Sequence, residues 1–185
     1  GGSRANTAMH YQVAEDHGYT AIADVDIMEE EGSITLPVVV GDNLTENYVG
    51  SHFENYDYYV ILSHFKGHAM AGYGGAIKNI SIGIASSEGK AHIHSGGTGG
   101  SMWSGEQDAF LVSMAEAGKS VVDALDGNIL YINVMNCLSV DCDCDGNPAQ
   151  PDMYDIGILA SFDPVAVDQA CIDLVYAAED GGSLV

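Results

Sequence analysis

Short apolar runs alternate along this chain with stretches of 3.6-residue periodicity, and that alternation limits the fold more than any other feature. Strand-like runs lie at 21–27, 34–40, 58–62, 129–135 and 155–160. Between and after them come helical patterns. Asn6 or Thr7 can cap a helix running to about His17, with Gly18 as its stop. Ser104 and Gln107 form a capping box ahead of a helix to about Leu125, with Phe110, Leu111, Met114, Val121, Val122 and Leu125 on one stripe. Asp163 caps a last helix with Pro164 at its first position, and Val167, Ala170, Cys171, Leu174, Val175 and Ala178 keep the helical period. The expected fold is α/β, a mainly parallel or mixed sheet covered by helices in a single domain. At 185 residues and 46% hydrophobic content the chain can bury a core of that size. The acidic 29–32 reads as a turn, 42–56 as a weakly patterned lead-in, and the C-terminal GGSLV as a frayed end. Ile80, Ile82 and Ile84 alternate like a strand, although the glycines before them could equally start a short helix.

The segment 58–94 holds four of the seven histidines and three of the five Lys and Arg residues, so the scarce basic chemistry of an acidic chain is concentrated there. The apolar run at 58–62 should deliver His64, Lys66 and His68 at its C-terminal end, where open α/β sheets form ligand crevices. Gly72, Gly74 and Gly75 allow a tight return that brings Lys78 back beside them. His92 and His94, two apart in an extended segment, would point the same way toward a ligand held by the 95–100 loop SGGTGG, with Gly96 and Gly97 in its cradle. The plainer alternative is that Lys78 pairs with one of the many carboxylates.

The segment SHFKGHAMAGYGGAIKN, with RANTAMH upstream and DIGILASFDPVAVDQA downstream, resembles the domain of unknown function 362 family, in particular its iron–sulfur centre branch. That resemblance covers nearly the whole chain and implies an iron–sulfur or metal association, without supplying a reaction. A second, local likeness does supply one. His68, Ala71-Gly72-Tyr73, Gly75 and Lys78, followed by His94 sixteen residues on, are similar to the motif of nickel-dependent lactate racemase. The likeness implies that Lys78 tethers a nickel pincer nucleotide, that His94 ligates nickel, and that His68 does acid–base work. Arg4 is more weakly similar to the arginine that receives the substrate carboxylate. Ile77 and Asn79 depart from that motif.

Cys137, Cys142 and Cys144 offer up to three thiolates between two expected strands. The CDCDG run resembles a Cys-x-Cys element of the iron–sulfur branch. Asp141, Asp143 and Asp145 interleave with the thiols and would repel an anionic cluster, so a plain divalent metal fits more easily. An acidic turn with incidental cysteines is the alternative. The cysteine spacing is not that of a secreted disulfide framework, which points to reduced thiols and a cytoplasmic protein.

A formal charge of -22, from five basic against 27 acidic residues, repels nucleic-acid backbones and anionic membrane surfaces. No apolar run reaches the ~20 residues a bilayer span needs. The expected partners are a small-molecule ligand or a redox protein. The alternatives to a metal-associated protein are a racemase-like enzyme and a non-catalytic electron-transfer module. The chain begins with Gly1 rather than Met and is read as a possible fragment of a longer protein.

Overall fold

The computed structural model describes residues 4–143, 145 and 147–184. In chain order the elements are α1 (Thr7–Asp16), β1 (Ser33–Pro37), β2 (Glu46–Gly50), β3 (Tyr59–His64), β4 (Lys66–His68), β5 (Gly72–Gly74), α2 (Ala76–Lys78), α3 (Ser87–His94), α4 (Gln107–Leu125), β6 (Ile129–Met135), β7 (Gly157–Ser161) and α5 (Pro164–Ala177). The central sheet is mixed, in the order β3-β6-β7. β6 runs parallel to β3, from Tyr59 opposite Ile129 to His64 opposite Val134, and antiparallel to β7. The fold is therefore α/β.

β6 shows why the sheet forms where it does. Ile129, Tyr131, Asn133 and Met135 are buried, and the residues between them are half-buried, the period-2 signature of a strand with one face in the core. Tyr131 and Ile129 pack with Ile61, Ala76, Ile80, Val121, Leu125 and Val167. Each such side chain contributes about 1.5–3 kcal/mol on full burial, so this layer of α2, α4 and α5 against β3 and β6 is the main stabilising contact. The other face carries Val60, Leu62 and Ile158, exposed by 56%, 64% and 68%. Among the described residues, helices therefore cover one face of the sheet and not both.

Several local expectations change. Residues 21–27 form no strand: a single 3-10 turn, Tyr19–Ala21, leads into irregular chain in which Asp26 bonds to His52 and Tyr56. Strand β1 stops at Pro37, which has no N–H to donate. Its antiparallel partner β2 lies inside the stretch read as a lead-in, and buries Asn47 and Val49. Ile80, Ile82 and Ile84 belong to a helical path, with α2 continuing as a π turn over Asn79–Gly83. Helix α4 begins at Gln107 with Glu106 at its cap position, because the Ser104 hydroxyl donates to Ser101 instead. The Asn6 and Asp163 caps form as the sequence indicates, each side chain accepting amide hydrogens of the first turn. The C-terminal glycines make a 3-10 turn, Gly181–Ser183, with Gly181 buried.

No helix of the described residues is long and apolar enough to cross a membrane.

Candidate functional site

Strand β3 ends at His64, and Phe65, buried at 1% exposure, pins the chain before it turns into the β4–β5 hairpin. In the hairpin turn the His68 ring accepts the amide hydrogens of Met70 (3.2 Å) and Ala71 (3.0 Å) at Nδ1. In the neutral ring the hydrogen therefore sits on Nε2. The return strand needs its glycines for two different reasons. Gly72 has φ +76°, a turn conformation that L side chains avoid. A Cβ on Gly75 would lie 2.4 Å from Oδ1 of Asp168, so only glycine admits that carboxylate. Asp168 is 1% exposed and accepts from the amides of Ala76 (2.7 Å) and Ile77 (3.0 Å) and from Asn133 Nδ2 (2.7 Å). Burial pushes its carboxyl above the usual aspartate range even though these donors pull the other way. Asp168 thus ties α5, β6 and the start of α2 together, and α2 carries Lys78.

Two lysine stems meet at Gly74. A Cβ there would stand 3.6 Å from Lys66 Cε and 3.7 Å from Lys78 Cδ. Their heads part company. Lys66 is buried and its ammonium donates to Asp143, whose Oδ2 also lies 2.9 Å from His64 Nδ1. The other His64 nitrogen is 2.7 Å from the Asn136 carbonyl oxygen. Burial would raise the Asp143 carboxyl, but Lys66 and His64 hold it below the ordinary value. Lys78 is half-buried and has no carboxylate within ion-pair reach among the described residues.

His94 stands at the last turn of α3, stacked on Phe110 with ring centroids 4.7 Å apart. Its Nδ1 donates to the Lys90 carbonyl oxygen (2.6 Å), which leaves the lone pair on Nε2. Burial lowers its pKa, and the positive charge of Lys78 acts in the same direction. Met70 and Ala71 of the His68 turn pack into the same cluster as Ile93 and Phe110, which sets that turn beside the end of α3, and Lys78 is near enough for its charge to act on His94, while His64 and Lys66 are taken up by Asp143.

The remaining residues are placed elsewhere. Residues 87–94 are helical rather than extended, so His92 and His94 diverge by about 200°. The His92 ring meets Tyr48 of β2 edge-on, at 5.2 Å. Gly96 and Gly97 have φ +65° and +77°, and their missing side chains make room for protein: a Cβ would lie 2.8 Å from Ala109 Cβ and 2.2 Å from the Asn43 oxygen, respectively. Packing accounts for both glycines without a ligand. Arg4 is exposed and makes no ion pair among the described residues. Cys137 is exposed at the end of β6 with φ +47°, and with Leu62, Ser63, His64, Val134 and Asn136 it lines an open cleft of about 420 Å³. Cys142 is half-buried, and Cys144 lies outside the described residues. Among the described residues, no three His, Cys, Asp or Glu side chains gather as a metal-holding group.

Sequence reasoning missed two buried carboxylates that anchor backbone. Asp168 is one. Glu116 of α4 is the other, accepting from the amides of Asp42 (2.5 Å) and Leu44 (2.8 Å). A signal existed for both. Asp168 sits three residues before Cys171 on the apolar stripe of α5, and Glu116 lies among the small buried residues Ser113, Ala117 and Ser120 of α4. An acid on a buried helix face must be met by donors.

A search among curated proteins finds no match to the chain. The family model for the domain of unknown function DUF362 matches residues 1–173, nearly the full length on which this fold is built, and the chain belongs to that family.

Proposed function

We propose that Lys78, His94 and His68 form a site for an anionic, metal-associated ligand, and that the chemistry there is racemase-like. The observation that carries this is the pairing state of Lys78: in a chain of formal charge -22 its ammonium has no carboxylate partner among the described residues, while the neighbouring Lys66 has one. A half-buried lysine with no carboxylate partner is open to an external anion or to covalent attachment. The donor set suits a lysine-tethered nickel cofactor. Lys78 would carry the tether, and His94 would offer the Nε2 lone pair that its bond to the Lys90 carbonyl fixes in place. Such a cofactor supplies a redox-capable metal centre at a carbon next to a carboxylate. The chain's own contribution is binding and orientation. His68, its Nδ1 held by two amides, would in its neutral form donate a hydrogen bond from Nε2–H to the ligand. Phe110 backs the His94 ring and keeps water from that side.

The test is intact mass and elemental analysis of protein purified anaerobically from its native host. An added mass that maps to Lys78 and is lost in Lys78→Ala, with metal that is lost in His94→Ala, supports the reading. Bare mass without metal overturns it.

A second reading, a soft-metal or iron–sulfur site with an electron-transfer role, draws on the exposed Cys137 thiol beside His64 in the 420 Å³ cleft. Cys142 and Cys144 would complete its thiolates. Unchanged metal content in the Cys137→Ser, Cys142→Ser and Cys144→Ser triple variant would remove it. Either reading suits a reducing, cytoplasmic setting and a small-molecule or redox-protein partner rather than nucleic acid.

A further inference from the structure

Between α3 and α4 runs a segment, residues 98–104, whose two ends are fixed and whose middle is open to solvent. At its start Gly96 and Gly97 are packed against Ala109 and Asn43, and the Thr98 hydroxyl donates to the Ser95 carbonyl oxygen (2.8 Å). At its far end a Cβ on Gly105 would lie 2.0 Å from the carbonyl oxygen of His94, so the backbone of Gly105 is pressed onto that residue. Two positions on, the Gln107 side-chain amide donates to the carbonyl of Met70, in the turn whose amides hold the His68 ring. The far end of the segment is therefore tied to the backbone of His94 and, through the first residue of α4, to the turn that holds His68. Gly99 has φ +72° and open space where a Cβ would be, while Gly100 rests against Ser104, so the segment closes on itself as one unit with a glycine at its near end. At the tip is Trp103, 80% exposed and the single tryptophan of the chain.

Isolated exposed apolar residues are common on protein surfaces, and exposure alone would mean little. The position of Trp103 is what matters: the largest apolar side chain available sits on a glycine-flanked arm anchored at His94 and at the His68 turn. Lys78, His94 and His68 supply charge and hydrogen bonding, and none of them offers an apolar contact to a ligand. We propose that 98–104 is a lid and that Trp103 covers the apolar or π-bearing part of the anion held at Lys78. This rests on the ligand site proposed above. Closure would exclude water from the Lys78 ammonium and strengthen its attraction for the anion.

The test compares inorganic phosphate with phenyl phosphate on the intact protein, with affinity read by calorimetry and closure by the emission of Trp103. A lid predicts that phenyl phosphate binds roughly 3- to 10-fold more tightly than phosphate, the size of an added aromatic contact. It also predicts that phenyl phosphate shifts the emission to shorter wavelength and shields the indole from acrylamide. Trp103→Ala, a surface change, should bind the two phosphates alike. Lys78→Ala should bind neither. Phenyl phosphate that binds no more tightly than phosphate, or binding that leaves emission and quenching unchanged, overturns the lid and leaves the ligand site standing. Failure of both phosphates to bind the parent protein overturns the site, and the lid with it.

Discussion

Lys66 and Lys78 rest their stems on the same glycine and end in opposite electrostatic states. The first is buried and neutralised by Asp143, which His64 also contacts. The second is half-buried and has no carboxylate partner among the described residues, beside a histidine whose lone pair is held ready. A neutralised lysine on the hairpin and an unpaired one on α2 thus lie side by side. With 27 acidic residues to five basic ones, an ion pair is open to every lysine, yet among the described residues only Lys66 and Lys119 take one, so the contrast that matters is between two lysines resting on one glycine. Richness in basic residues marked the region; pairing distinguishes the two lysines within it.

The strongest way to break this contrast is to remove what positions Lys78 without touching Lys66. Asp168→Ala leaves the amides of Ala76 and Ile77 and the Asn133 side chain without their acceptor. It should cost about 3–5 kcal/mol in chemical denaturation. A loss below about 1 kcal/mol would mean that Asp168 does not hold the start of α2.

Next in size, Asp143→Asn leaves the Lys66 ammonium buried beside a neutral group. The carboxylate is 54% exposed, so screening limits the loss to about 1–2 kcal/mol. Its pH dependence has a definite sign. Lys66 and His64 hold the Asp143 carboxyl below its unfolded value, so its contribution is present above about pH 4 and fades as pH falls through the lowered folded value. The gap between parent and Asp143→Asn should therefore close on acidification. A gap that widened would put the Lys66–Asp143 pair in doubt.

The smallest expected change in stability is the most telling. Lys78→Ala breaks no ion pair among the described residues and should stay within about 0.5 kcal/mol of the parent. A limiting amine-reactive reagent should modify Lys78 well before Lys66, as read by peptide mass spectrometry. Equal labelling, or a Lys78→Ala loss as large as that of Asp143→Asn, would erase the distinction between the two lysines.

The sequence determined by itself whatever depends on neighbours a few positions apart. The alternation of β6, the stripes of α4 and α5, and the Asn6 and Asp163 caps all follow from side chains one to four residues apart. The end of β3 as the place where His64, Lys66 and His68 emerge was legible for the same reason. Tertiary structure decided the rest. Residues 87–94 have weak preferences of their own, and they became a helix that caps on Ser86 and packs Ile93 into the core, which turned His92 away from His94. Strand β2 was invisible because its polar residues form a strand only when β1 lies alongside. Above all, which lysine is neutralised and which acid holds a turn depended on partners far along the chain, 92 positions from Ala76 to Asp168. No local pattern encodes those pairings, because each becomes favourable only after folding has removed water from both groups.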